Sequence, residues 1–291
     1  MTVRAGRRRV RPELLVATGA VSVQSGAAVA THLFARVGPA GAVTLRLVLG
    51  AVVLLAAVRP SPRSRRGRDL AAVALFGVAL GAMNLAFYES IARIPLGVAV
   101  TVEFVGPLAV AVAGSRRLRD LLWAALAGAG VALLAASPGG RLDPVGIVLA
   151  LVAGGCWAGY ILLSREAGRR MEGVDGLALA MVVAAVIVAP GGLVAGGTRL
   201  VHPSTLGLGL AVAVLSSVLP YSLELVALRS VSPRAFGVLL SLDPAVAALA
   251  GLVVLGQHLG GHEVVAVVLV ISANVGSSIA SARRPDVALD A

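Results

Sequence analysis

Ten apolar stretches, separated by short turns and arginine-bearing loops, fill nearly the whole of this 291-residue chain. They run over residues 14–35, 39–58, 70–91, 94–114, 121–137, 145–164, 177–197, 206–228, 235–256 and 263–281. A helix of roughly 20 apolar residues crosses the hydrocarbon core of a bilayer. Only helices and closed barrels cross it without orphaning backbone polar groups. The pattern predicts an all-α polytopic membrane protein with ten transmembrane helices, its partner being the lipid bilayer. A soluble helical protein fails on its surface. With 58% hydrophobic and 13% charged residues, against about 25% charged in soluble domains, it has too little polar material to face water.

The net charge of +11 raises the question of nucleic acid, and position answers it. All 25 basic residues are arginine, and 20 of them fall on one side of the alternating loops. That side holds the N-terminal tail (Arg4, Arg7, Arg8, Arg9, Arg11), the 59–68 loop, Arg116 to Arg119, Arg165 to Arg170, Arg229 with Arg234, and Arg283 with Arg284. The other side holds only Arg36, Arg93, Arg141 and Arg199, while Arg46 lies inside a span. The positive-inside rule then puts both termini in the cytoplasm, in keeping with an even number of spans. No basic stripe with interleaved aromatics offers a nucleic-acid surface. The single cysteine, Cys156, forms no intramolecular disulfide, no ligand spacing suggests a metal, and no cofactor motif is present. The basic head and apolar run at the N-terminus imitate a signal peptide. Cleavage there would leave an odd span count at odds with the arginine bias, so the first stretch is expected to remain as a span.

The chain reads as built twice. Residues 90–107 align without gaps to 227–244, at an offset of 137 residues. In each copy a span ends at small residues, a tight proline-containing turn follows, and a proline (Pro107, Pro244) falls mid-way along the next span. Five spans per copy start the second copy from the opposite face of the membrane, which is an inverted-topology repeat. The expected organisation is a basic tail over 1–13, a first five-helix repeat over 14–137, a linker over 138–144, a second repeat over 145–281 and a tail over 282–291. Small pairs at Gly77/Gly81, Gly155/Gly159 and Gly192/Gly196 suit close helix approach.

An ionisable residue at membrane depth is a functional hypothesis by default. Glu103 lies one turn before Pro107, and Asp243 directly precedes Pro244. Proline removes a helix hydrogen bond and loosens the carbonyl one turn back, so each acid sits beside a local break. Each either lines a pathway, or merely satisfies freed backbone groups or pairs with Arg46. Glu224 follows Pro220 and Tyr221 in the eighth stretch; Glu89 lies near the outer end of the third, with Asn84 and Tyr88 on adjacent turns. Gln24 and His32, two turns apart, are expected on roughly one face of the first span. Tyr160 and Trp157 add amphipathic rings in the sixth, with helix packing the alternative role for Trp157. No nucleophile or paired-acid enzyme geometry is legible, and no nucleotide-binding motif.

These residues stand within motifs that resemble the EamA-type branch of the drug/metabolite transporter superfamily, most closely its inner-membrane threonine/homoserine exporters. The resemblance rests on Ser22-Val-Gln-Ser-Gly-Ala, Thr44-Leu-Arg-Leu, Gly81-Ala-Met-Asn-Leu, Pro95-Leu-Gly-Val-Ala-Val and Glu103-Phe-Val-Gly-Pro. Gly155-Cys-Trp-Ala-Gly-Tyr, Leu219-Pro-Tyr-Ser-Leu-Glu, Phe236-Gly-Val-Leu-Leu-Ser-Leu-Asp-Pro and Asn274-Val-Gly-Ser-Ser continue it, in order, across residues 14–281. It implies two inverted five-helix repeats in a bacterial cytoplasmic membrane, export of small amino acids or related metabolites, and coupling to protons. The chain departs from the family pattern at Asp243, Gln257, Glu89 and Thr31. On this basis Arg46 with Gln24, Asn84, Tyr88, Tyr160 and Tyr221 is expected to hold a zwitterion, and Glu103 or Asp243 to carry the exchanged proton. Efflux of drugs or hydrophobic cations and uncoupled facilitation stay open as alternatives, as does a homodimeric assembly.

Overall fold

The computed structural model describes residues 12–59, 67–113, 118–136, 142–171, 175–220, 223 and 238–281. Tyr221, Glu224 and the proline turn of the second copy lie outside the described residues, as do most of the loop arginines. Every described element is helical: α1 (Pro12–Val58), α2 (Gly67–Ile91), α3 (Leu96–Glu103), α4 (Val105–Ala113), α5 (Leu118–Ala135), α6 (Pro144–Arg170) and α7 (Asp175–Gly196). A 3₁₀ turn (Gly197–Val201) leads into α8 (Pro203–Ala213), which runs on into a π-helical turn (Val214–Val218). The described chain closes with α9 (Asp243–Leu255) and α10 (Gly261–Ser281).

The protein is a multi-pass, all-helical membrane protein. Seven of its helical units are long and apolar enough to cross a bilayer: Leu14–Val58, Asp69–Ile91, Leu96–Ala113, Pro144–Ala167, Asp175–Val201, Val238–Leu255 and Gly261–Ala280. The count differs from the ten apolar stretches for two reasons. The first two stretches, both within α1, are two helices that meet at a kink at Gly38, whose φ of 69° and ψ of 170° are non-helical. Glycine alone takes that conformation without strain, and Pro39 behind it has the fixed φ that restarts a helix. The stretches at Asp120–Ala135 and Pro203–Val218 form helices too, but shorter ones. Val194 and Val253 are 89% and 80% exposed, an arrangement that lipid makes favourable and water would not.

The two halves of the sequence interleave. The main neighbours of α1 are α7, α8 and α9, those of α2 are α6 and α7, α3 packs on α9, and α5 packs on α10. Small residues set the approach. A Cβ on Gly77 would lie 2.6 Å from the Ala180 carbonyl oxygen and one on Gly81 would lie 3.2 Å from Ala184 Cα, so this pair seats α2 on α7. A Cβ on Gly192 would lie 2.0 Å from Thr44 Oγ1, whereas Gly155 and Gly159 face open space. Of the three small pairs, Gly155/Gly159 makes no close crossing.

At one end of the bundle α3 crosses α9, where a Cβ on Gly97 would come within 2.7 Å of Ala248 Cα. The same end is tied by Gln257, whose Oε1 accepts from the Leu96 backbone N–H at 3.0 Å. Gln257 follows Gly256, which ends α9 in the left-handed conformation (φ 65°). Leu96 is fully buried, so that N–H has no water to fall back on. Gln257→Leu is expected to cost about 1–3 kcal/mol of stability, the range for an orphaned buried donor. A lowered unfolding midpoint in detergent micelles checks it; an unchanged midpoint would remove the cap from the account.

Candidate functional site

The proline breaks build the site. Pro107 has no N–H to give to the Glu103 carbonyl four residues back, and the helix parts at Phe104 between α3 and α4. Phe104 N–H still bonds Val100 O at 3.0 Å, and Leu108 N–H bonds Phe104 O at 3.3 Å. The second copy parts at Ser241 and Leu242, just before α9, with three-residue bonds from Leu242 N–H to Leu239 O and from Ala245 N–H to Leu242 O. At the 137-residue offset Phe104 corresponds to Ser241, so both copies break in the same register. Glu103 is the last residue before its break and Asp243 the first after the other.

Both acids line one cavity of about 420 Å³, together with Gln24, Arg46, Asn84, Pro107, Tyr160 and Asp243's neighbour Ser241. Phe87, Phe104 and Trp157 supply aromatic wall, and Asn274, Ser277 and Ser278 on α10 supply more polar wall. The lining reaches Ala111, Ile161 and Ser278, far along α4, α6 and α10 from the Leu96–Gln257 tie. Arg46, Glu103 and Asp243 are only 9%, 8% and 7% exposed, and both Arg46 and Asp243 lie within electrostatic reach of Glu103.

Arg46 is held from behind. Its Nη1 donates to Tyr88 Oη at 3.3 Å, its Nη2 donates to Ser216 O at 3.1 Å, and its Cζ sits 5.6 Å from the Tyr88 ring centre. Ser216 O is available because Pro220, four residues on, has no N–H to give it, and it lies in the π turn, a local form frequent at functional sites. Ser22 Oγ donates to the adjacent Leu215 O at 2.6 Å, locking that turn to α1. Asn84 Nδ2 donates to Leu80 O at 2.8 Å, which fixes its amide on the wall. Gln24 Oε1 is buried with no hydrogen-bond partner among the described residues. Phe104 meets Trp157 edge-on at 4.8 Å and Phe76 meets Tyr160 at 5.0 Å, so Trp157 both packs and lines.

The sequence expectations divide accordingly. Gln24, Arg46, Asn84, Glu103, Tyr160, Asp243 and Pro107 come together around one cavity. Tyr88 is fully buried behind Arg46 rather than on the cavity surface, and Pro244 sits in the first turn of α9, outside the lining. The shared face expected for Gln24 and His32 does not form. Eight residues at 100° each leave them about 80° apart around the helix, and His32 is exposed. Glu89 is also away from the cavity, paired with Arg93 at 2.7 Å, which in turn lies 3.9 Å from Asp143. Sequence reasoning passed over Ser216, Asn274, Ser277 and Ser278, although polar residues three and four apart in an apolar span were a signal for the α10 face. Among the described residues no group of three His, Cys, Asp or Glu side chains is placed to hold a metal ion.

A multi-pass helical bundle with a buried polar cavity beside broken helices is the architecture of a solute carrier. Comparison with known proteins makes the class specific. The EamA-like transporter family model matches residues 11–137 and again 144–279, and the chain belongs to that family: it is a transporter, not an enzyme. It is 44% identical over 281 residues to the threonine/homoserine exporter RhtA of Salmonella typhimurium strain LT2, covering 95% of this chain and 94% of that one. The protein of the same name from Escherichia coli K12 is 43% identical over 273 residues, covering 92% and 91%. A solved crystal structure only 22% identical superposes with a TM-score of 0.61 over 93% of this chain and 98% of the other, which establishes a shared fold.

Proposed function

We propose that the protein exports threonine, homoserine or a closely related small amino acid across the bacterial cytoplasmic membrane in exchange for protons. The observation that carries this is the burial of one arginine and two carboxylates on the wall of a single cavity. With all three ionised the cluster holds one net negative charge, and one proton brings it to zero. A zwitterion adds no net charge. Its carboxylate suits the planar guanidinium of Arg46, and its ammonium group competes with the proton for an acid. Two ligands competing for one acid is the chemical basis of antiport. Identity over nearly the full length with proteins named as threonine/homoserine exporters supports the substrate class.

The scaffold we infer is ten spans in two inverted five-helix repeats, over 14–137 and 145–281. The seven long units, the division of α1 at Gly38 and the two shorter apolar helices support the number. The matched breaks at Phe104 and Ser241 support the repeat. The arginine bias supports cytoplasmic termini. In that orientation the cavity extends toward the cytoplasm, and the Gly97–Ala248 crossing and the Gln257 tie close the outer side. Substrate enters from within, and parting of α3 from α9 releases it outside.

Counterflow in vesicles containing the purified protein tests this, against a panel of amino acids with and without a pH gradient. Threonine and homoserine are expected to exchange, and an imposed gradient to drive threonine uphill. Absence of exchange for every amino acid overturns the substrate class. Exchange indifferent to the gradient removes the proton and leaves a facilitator. Efflux of hydrophobic cations is a second reading, favoured by Phe87, Phe104 and Trp157 on the wall. A planar aromatic cation that outcompetes threonine in the same panel would establish it.

A further inference from the structure

Arg46, Glu103 and Asp243 account for the charged ends of a zwitterion and leave one part of the cavity without a role. That part is the α10 face formed by Asn274, Ser277 and Ser278. These three positions follow helical spacing, three and four apart, so they fall on one side. The opposite side is fixed by packing. A Cβ on Gly276 would come within 2.4 Å of the Trp123 ring, so the α5 indole seats on Gly276. Asn274 and Ser278 each lie two residues from it, about 160° around the helix, which turns them into the cavity. Asn274 and Ser277 are 6% and 2% exposed, yet both contribute to the wall. Asn274 Nδ2 donates to Val270 O at 2.9 Å. That bond orients the amide and leaves Oδ1 and one N–H for another partner. Neutral dipoles of this kind also bind charged groups, but Arg46 and the two acids already supply the charge that the ends of a zwitterion need. They match a neutral group that both donates and accepts.

We propose that Asn274, Ser277 and Ser278 form the subsite that reads the side-chain hydroxyl of the substrate, and so separate hydroxylated amino acids from their methyl isosteres. This rests on the exporter function proposed above and adds the residues that set its selectivity. A site built to hydrogen-bond a hydroxyl rejects the analogue lacking it, because its buried polar groups are left unpaired; an apolar pocket discriminates far less. Exchange is expected to favour threonine over valine, and homoserine over norvaline, by about 10-fold or more.

The test is counterflow with these two isosteric pairs in vesicles, for the natural protein, Ser277→Ala, Ser278→Ala and the triple variant that adds Asn274→Leu. The triple variant is expected to compress both ratios to within about 3-fold, with valine exchange retained or increased, and the single serine variants to shift them partway. Retained valine exchange certifies a folded carrier. Should the triple variant fail to fold, the single variants carry the test. Unchanged ratios in variants that still exchange valine overturn the subsite. Equal exchange of threonine and valine by the natural protein also overturns it, while leaving amino-acid export intact. A natural protein inert toward all four amino acids overturns the export reading itself.

Discussion

Glu103→Gln protein in vesicles is expected to lose pH-gradient-driven accumulation of threonine while still exchanging threonine for threonine. Glutamine matches glutamate in volume and retains hydrogen-bonding capacity, so the α3–α4 break and its packing persist. Only the exchangeable proton is removed. One proton moving down a 100 mV potential supplies roughly 2.3 kcal/mol, which corresponds to about 50-fold accumulation at equilibrium. In the variant that ratio is expected to fall to about one. Glu103 is the better candidate of the two acids because of where it sits. It ends α3 beside the carbonyl that Pro107 leaves without its helical donor, and Arg46 and Asp243 both act on it electrostatically. Accumulation that survives in Glu103→Gln would move the coupling role to Asp243, and Asp243→Asn would then have to abolish it.

The parts of the molecule legible in the sequence are those written in polarity and in proline. Apolar runs marked the helices, Gly38-Pro39 marked the break in α1, and Pro107 and Pro244 marked the two interruptions that Glu103 and Asp243 adjoin. A lone charge in an apolar run has one place to go, so Arg46, Glu103 and Asp243 converge on the cavity. Helix rotation was not legible. In a soluble helix the polar face points out, but here lipid and interior are both apolar, and hydropathy leaves the angle free. His32 was therefore assigned to the face of Gln24, and the structure turns it outward. The uncharged α10 residues Asn274, Ser277 and Ser278 were legible only as part of a motif and not as cavity wall, because no one of them carries a charge that demands a partner in lipid. Tyr88 was assigned to the substrate and instead supports Arg46.

Gly106→Val is expected to be the most damaging single substitution in this region, abolishing export and lowering stability by more than the roughly 1–3 kcal/mol usual for overpacking. A Cβ at Gly106 would lie 1.9 Å from the Gly154 carbonyl oxygen and 2.5 Å from its carbon, and a Cβ at Gly154 would lie 2.7 Å from the Glu103 carbonyl oxygen. Here α4 and α6 meet backbone to backbone, and no side chain exists that can rotate aside. Relief requires the helices to part. Because Gly106 is three residues from Glu103, the movement carries the acid out of register with Arg46 as it happens. Two effects then fall together: an earlier unfolding transition in detergent and loss of both exchange and gradient-driven transport. Gly155→Ala, one residue along α6 from the crossing and facing open space, is expected to leave both measurements unchanged. Equal tolerance at the two positions would mean that α4 and α6 do not touch where Glu103 needs them to.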